Sequence, residues 1–222
     1  MKSCSDFVME KKVQGSWLIH HTHKLQNVTS QGSYEKTYLA GKAGILLSAI
    51  SGTNEVVVPV EKLNTLARAA NINQTFELPK LLEVLEGREL IDNTEHGVGV
   101  LGVTTTSALS HTSDIFDSLD PENTEKSVIE IAEKASLTPV SDKTLGEEIS
   151  DTFRLSGEQV KYVLHDAEQI GFVDTEVLGK SEKLFFNGNL FRRESSRKIK
   201  AVLDSLSAQE QTLLGELMLT PL

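Results

Sequence analysis

The apolar residues Leu78, Leu81, Leu82 and Leu85 stand at i, i+3, i+4 and i+7, the spacing of one face of an α-helix. Val160, Val163, Leu164 and Ala167 repeat that spacing further along the chain. A single shift of 82 residues, which carries Asp92 onto Asp174, superposes the two stretches. It also sets Val58 on Val140, Leu63 on Leu145, Ala67 on Ile149 and Gly97 on Gly179. The pattern is an internal repeat with little identity, and it predicts the same elements twice. In the first copy "YEKTYLAGKAGILLSAIS" predicts a helix, "EVVVP" a short strand, and "VEKLNTLARAANI" and "LPKLLEVLEGREL" two further helices. Two strands around "NTEHGVG" close it. In the second, "TEKSVIEIAEKAS", "TPV", "SDKTLGEEISDTF", "SGEQVKYVLHDAEQIGF" and the pair "VDTEVL" and "KLFFNG" follow in that order. Ser141 and Ser156 stand where N-caps are wanted, with acidic or amide residues soon after each.

Helix, short strand, helix, turn, helix, β-hairpin is the order of the winged-helix fold, a helix-turn-helix variant. Over roughly residues 34–190 the chain resembles the winged-helix superfamily twice, in element order and periodicity. The expected fold is a helix-rich α+β protein with two winged-helix units in tandem and flanking helices. The polar, proline-containing stretch "DSLDPENTEK" (Asp117–Lys126) has the composition of a linker. This divides the chain into an N-terminal extension (1–33), a first unit (34–118), a second (119–190) and a C-terminal helical segment (191–222). In the last, "RESSRKIKAVLDSLSAQEQTLLGELM" predicts one helix or two broken near Ser207, with Ile199, Leu203 and Leu206 available to pack. "SWLIHHTHKLQ" predicts a short apolar-faced helix or strand.

Composition narrows the setting. A chain of 222 residues with 39% hydrophobic and 24% charged residues suits one large or two small globular domains. Cys4 is the sole cysteine, which rules out a disulfide framework and fits a reducing cytoplasm. No apolar run nears the roughly 18 residues of a membrane span, and "MKSCSDFVMEKK" lacks a signal core, so a cytoplasmic protein is expected. The net charge of −10, with both halves acidic when split at Asp120, opposes a simple nucleic-acid-coating role.

Several motifs invite chemistry. Gly97, Gly99 and Gly102 spell G-x-G-x-x-G, but a dinucleotide site needs a strand before the first glycine and a helix starting at the last. Here the glycines follow a helix and a polar turn and precede the β-prone "VTTTS", so they are assigned to a wing hairpin. His20, His21 and His23 have no cysteine or acidic ligand nearby in sequence, and they predict a polar, partly exposed segment, with no metal expected. No phosphate loop, nucleophile elbow or catalytic set occurs, and neither a cofactor nor an enzymatic activity is expected.

A DNA-reading winged helix turns Arg, Lys, Asn or Gln outward on its third helix and wing. The first unit instead offers Glu83, Glu86 and Glu89 against Lys80 and Arg88, and its wing, Asp92 to Thr106, contains no Lys or Arg. Val98, Val100, Leu101 and Val103 make that wing apolar, which predicts a protein-facing surface. In the second unit Gln159, Lys161 and His165 stand beside Glu158, Asp166 and Glu168. Lys180 and Lys183 in its wing, with Arg192, Arg193, Arg197, Lys198 and Lys200 beyond it, are the candidates for weak duplex contact.

An acidic tandem of this length is similar to the "kite" subunits that accompany bacterial SMC-type ATPases. The resemblance is architectural and carries no residue assignments. It implies a non-enzymatic accessory subunit that dimerises and holds a partner chain of a DNA-associated complex. The alternative resemblance is to winged-helix transcription regulators, which would bind duplex DNA through the second unit.

Overall fold

Two three-stranded antiparallel sheets, each supplied by its own helices, occupy the two copies of the repeat. A computed structural model of the chain describes residues 9–29, 34–53, 55–178, 182–187 and 203–219. The elements run α1 (Lys11–Thr29), α2 (Glu35–Ser51), β1 (Val57–Pro59), α3 (Val60–Ala69), α4 (Leu78–Glu86), β2 (Ile91–Thr94), β3 (Gly97–Val100) and α5 (Ser107–Ser118). They continue as α6 (Asn123–Leu137), β4 (Val140–Ser141), α7 (Asp142–Phe153), α8 (Gly157–Gln169), β5 (Asp174–Leu178), β6 (Glu182–Phe186) and α9 (Ala208–Leu219). The protein is helix-rich α+β, as its periodicity predicts. The 82-residue shift carries Val60 onto Asp142, the residues that open α3 and α7.

The sheets have equivalent orders, β1-β3-β2 and β4-β6-β5, so in each the last strand lies between the first and the second. Val58 faces Val98 in one register and Val140 faces Phe185 in the other. Local chemistry sets the helix starts. The Ser141 hydroxyl accepts from the Thr144 amide at 3.2 Å, and Ser156 and Gln159 form a reciprocal capping box. Pro79 sits in the first turn of α4, where a missing N–H is harmless. Lys42, buried in α2, donates to the Asn71 carbonyl at 2.6 Å and so closes the C-terminal end of α3. Burial pulls its ammonium below the ordinary lysine range.

Three elements differ from expectation. The run "VTTTS" is not a strand: Thr104 and Ser107 exchange amide-to-hydroxyl bonds of 2.9 and 3.1 Å, and this turn leads into α5. Ala108, Thr112, Ile115 and Phe116 of α5 are buried against α1 and α2. The stretch 117–126 is not an open linker either. α5 runs through Asp117 and Ser118, α6 starts at Asn123, and the corner between them is locked by a Glu122–Glu125 capping box.

Third, the N-terminal segment is a helix of 19 residues that is central to the packing. α1 lies against α2, α5 and α6. Its Trp17 donates Nε1–H to Glu133 Oε2 of α6 at 2.6 Å, and Lys24 donates to the Gly171 carbonyl at the end of α8. Gly15 makes the α1–α5 approach possible, since a Cβ there would overlap the Leu109 carbonyl oxygen. Buried side chains from both copies form one contiguous core. At the other end, the helix break expected near Ser207 is present. The Ser207 amide donates to Glu210 at 2.7 Å, just before α9 begins. Leu203 is exposed and Leu206 half-buried, while Ile199 lies outside the described residues.

Candidate protein interface

β2 and β3 form a hairpin whose tip, Glu95 and His96, is exposed. The three glycines serve this hairpin. Gly97 has φ 143°, and a Cβ on it would overlap the Val58 carbonyl, so glycine lets β3 lie flat against β1. Gly102 has φ 70° and is followed by irregular chain, with α5 starting at Ser107. The strand-to-helix turn of a dinucleotide site is not formed.

Side chains alternate across a strand, so Val98 and Val100 of β3 share one face, while Leu101 and Val103 follow in irregular chain. Val98 and Val103 are buried in the core, Val100 is half-buried, and Leu101 is open to solvent. Most of the apolar wing expected to meet a partner therefore packs inward. The exposed apolar side chains around this sheet lie mainly at its first strand: Val56 just before β1, Val57 in it, and Val60 at the start of α3. One signal for this stands in the sequence itself. A proline inside a strand marks a sheet edge, and Pro59 ends the run of valines.

On α4, Lys80, Glu83 and Glu86 are exposed, with Arg88 and Glu89 just beyond it. The hairpin after it bears Asp92 and Glu95, with His96 beside Glu95, and no Lys or Arg. In the second copy Glu158, Lys161 and His165 face solvent, while Gln159, Asp166 and Glu168 are engaged. Gln159 closes the α8 cap at 2.9 Å, and Asp166 accepts from the Tyr34 hydroxyl at 2.8 Å. Glu168 accepts from Lys183 and, at 2.6 Å, from the Thr175 hydroxyl. Lys183 is thus held by a carboxylate. Lys180 and the run Arg192, Arg193, Arg197, Lys198 and Lys200 lie outside the described residues.

The bonds from Lys183 and then Thr175 hold the Glu168 carboxyl below its ordinary value of 4.5. A depressed carboxyl stabilises the fold above its unfolded pKa and loses that contribution as pH falls through the folded value. Urea unfolding of wild type and Glu168→Gln is expected to differ by about 0.5–1 kcal/mol at pH 7, as for a partly exposed pair. The two curves should converge below about pH 4 as the carboxylate is protonated. A difference that persists undiminished at pH 3 would contradict the assignment.

The histidines fall on α1, where His20 is half-buried, His21 buried and His23 exposed. His21 departs from the expected partly exposed setting because its ring stacks between Trp17, at 5.3 Å, and Phe172, at 4.2 Å. Among the described residues no group of three or more His, Cys, Asp or Glu could hold a metal ion. Where the copies meet, a cleft is lined by Tyr34, Lys36, Glu125, Tyr162 and Asp166. Burial first, then the bond to Asp166, pushes the Tyr34 hydroxyl far above its ordinary range. It acts as a fixed hydrogen-bond donor and not as an acid or base near neutral pH.

No helix among the described residues is long and apolar enough to cross a membrane. Compared with known proteins, the chain matches no family model, no curated protein and no solved structure.

Proposed function

We propose that the protein is a non-enzymatic accessory subunit of two winged-helix units, acting by protein–protein contact in a cytoplasmic, DNA-associated complex of the SMC-like kind. The two-fold succession of helix, strand, two helices and hairpin, with the matching orders β1-β3-β2 and β4-β6-β5, supports the winged-helix reading. The observation that carries the mode of action is the charge of the first copy. Its third helix turns Glu83 and Glu86 outward, and its hairpin offers no Lys or Arg to a phosphate. A backbone of one negative charge per about 1.7 Å is repelled by such a face. A stable partner is expected when the chain is affinity-purified from its native host and examined by mass spectrometry. Recovery of the chain alone, or of its homodimer alone, would overturn the reading.

The basic run Arg192–Lys200 favours a second reading, a regulator that grips duplex DNA next to the second copy. On that reading duplex binding weakens linearly with the logarithm of salt. Replacing Arg192, Arg193, Arg197 and Lys198 by Ala then reduces the slope by about 0.9 for each phosphate no longer neutralised. Undetectable binding at low salt would eliminate it.

A further inference from the structure

We infer that the open edge of β1 is a docking site for an extended segment of a partner protein in which apolar residues alternate with Lys or Arg. The inference rests on the protein-contact reading above and gives it a place and a chemistry. In the order β1-β3-β2, β1 is an edge, so alternate residues direct N–H and C=O groups away from β3. Natural sheets blunt such edges with lysine, proline or short strands, or cover them; β1 is three residues long and ends in Pro59 but carries no lysine. Here the chain presents Val56 at 89% exposure, Val57 at 46% and, just beyond, Val60 at 45%.

The apolar strip continues onto β3. Val57 lies opposite Gly99, which has no side chain to interrupt the surface, and Leu101, two residues further along, is 52% exposed. The flanking charges are acidic. Glu55 precedes the strip, Glu61 follows in the first turn of α3, and Asp92 lies across the sheet on the other side of Gly99. The nearby Lys62 is bonded to Glu55 at 2.7 Å and offsets its charge, so Glu61 and Asp92 carry the acidic rim. A strand added beside β1 would bury the valines, pair the free backbone groups and set its own cations against this rim. A second copy fits less well, because it would bring the same carboxylates against each other. Pro59 has no N–H to offer, which keeps the pairing short.

The test uses the full chain and a fluorescein-labelled peptide of four Lys-Val repeats, with a Glu-Val peptide as comparator. Saturable binding of the Lys-Val peptide is expected, with slowed amide exchange over residues 55–60. Binding should weaken about tenfold or more for the Glu-Val peptide and for Val57→Lys, since like-charge juxtaposition and a blocked edge both oppose pairing. Val56→Lys, at the most exposed position, supplies the same readout if Val57→Lys lowers the melting temperature. Leu213→Asp, at an exposed leucine of α9, should bind as wild type. Absence of saturable binding, equal binding by the Val57→Lys and Val56→Lys chains and wild type, or equal affinity for both peptides would overturn the site. So would a concentration-dependent dimer that Val57→Lys dissolves, which would make the edge a contact between copies. In the native-host purification, a Val57→Lys chain that retains the same partner overturns this site and leaves the protein-contact reading intact. A wild-type chain recovered alone overturns that reading instead.

Discussion

Gly15→Val is expected to destabilise the protein by about 3 kcal/mol or more, the upper range for inserting atoms into a packed interior. In a domain of this size that lowers the melting temperature by roughly 6–12 °C, readable by circular dichroism or calorimetry. The cause is the atom a new side chain would meet. A Cβ at Gly15 overlaps the backbone oxygen of Leu109, which cannot rotate away as a side chain can, so α1 and α5 must separate. Gly157→Ala provides the opposite case. Nothing lies within 4 Å of a Cβ there, the residue opens α8, and loss of unfolded-state freedom should leave the chain unchanged or up to about 1 kcal/mol more stable. Equal melting temperatures for Gly15→Val and wild type would refute the tight α1–α5 contact.

Glu125→Ala is expected to cost about 3 kcal/mol, because one buried carboxylate serves the starts of two helices. Within α6 it accepts from the Glu122 amide at 3.1 Å. Across to α2 it accepts from the Lys36 and Thr37 amides at 3.0 and 3.1 Å and from the Thr37 hydroxyl at 3.2 Å. α2 has no side-chain cap of its own, so Glu125 performs that task from the other copy. Removing it leaves donors at both starts without their acceptor. Glu125→Gln retains one acceptor oxygen and should lie between the alanine variant and wild type. Hydrogen exchange should accelerate at residues 36–37 and near 122. A denaturation midpoint unchanged by Glu125→Ala would show that this carboxylate does not join the copies.

The repeat was legible in the sequence because amphipathic spacing is a local property. Leu78, Leu81 and Leu85 reveal a buried helix face without any knowledge of what covers it, and so do Val160, Val163 and Ala167. What covers them is not local. Ala108, Thr112, Ile115 and Phe116 also share one helical face, but threonines at 104–106 and a short, mixed pattern concealed α5. The stretch 117–126 has a linker's composition because capping residues and turn residues are the same polar types. Its Glu125 becomes structural through α2, 88 residues away in sequence. The hairpin valines are recognisably apolar, but the face that β3 turns to the core takes Val98 and Val100 inward together. That orientation follows from the pairing of Val98 with Val58 and not from composition. The candidate interface consequently moves from the hairpin to the neighbouring edge.

α1 touches both copies, packing on α2 and α5 of the first and bonding through Trp17 and Lys24 to Glu133 and the Gly171 carbonyl of the second. It acts as a splint between the elements that carry the two hairpins. A binding partner that reaches from one hairpin to the other would make its second contact at an effective concentration set by the length and stiffness of its linker. Avidity in such a complex would depend on the partner's linker length, because α1 packs against both copies.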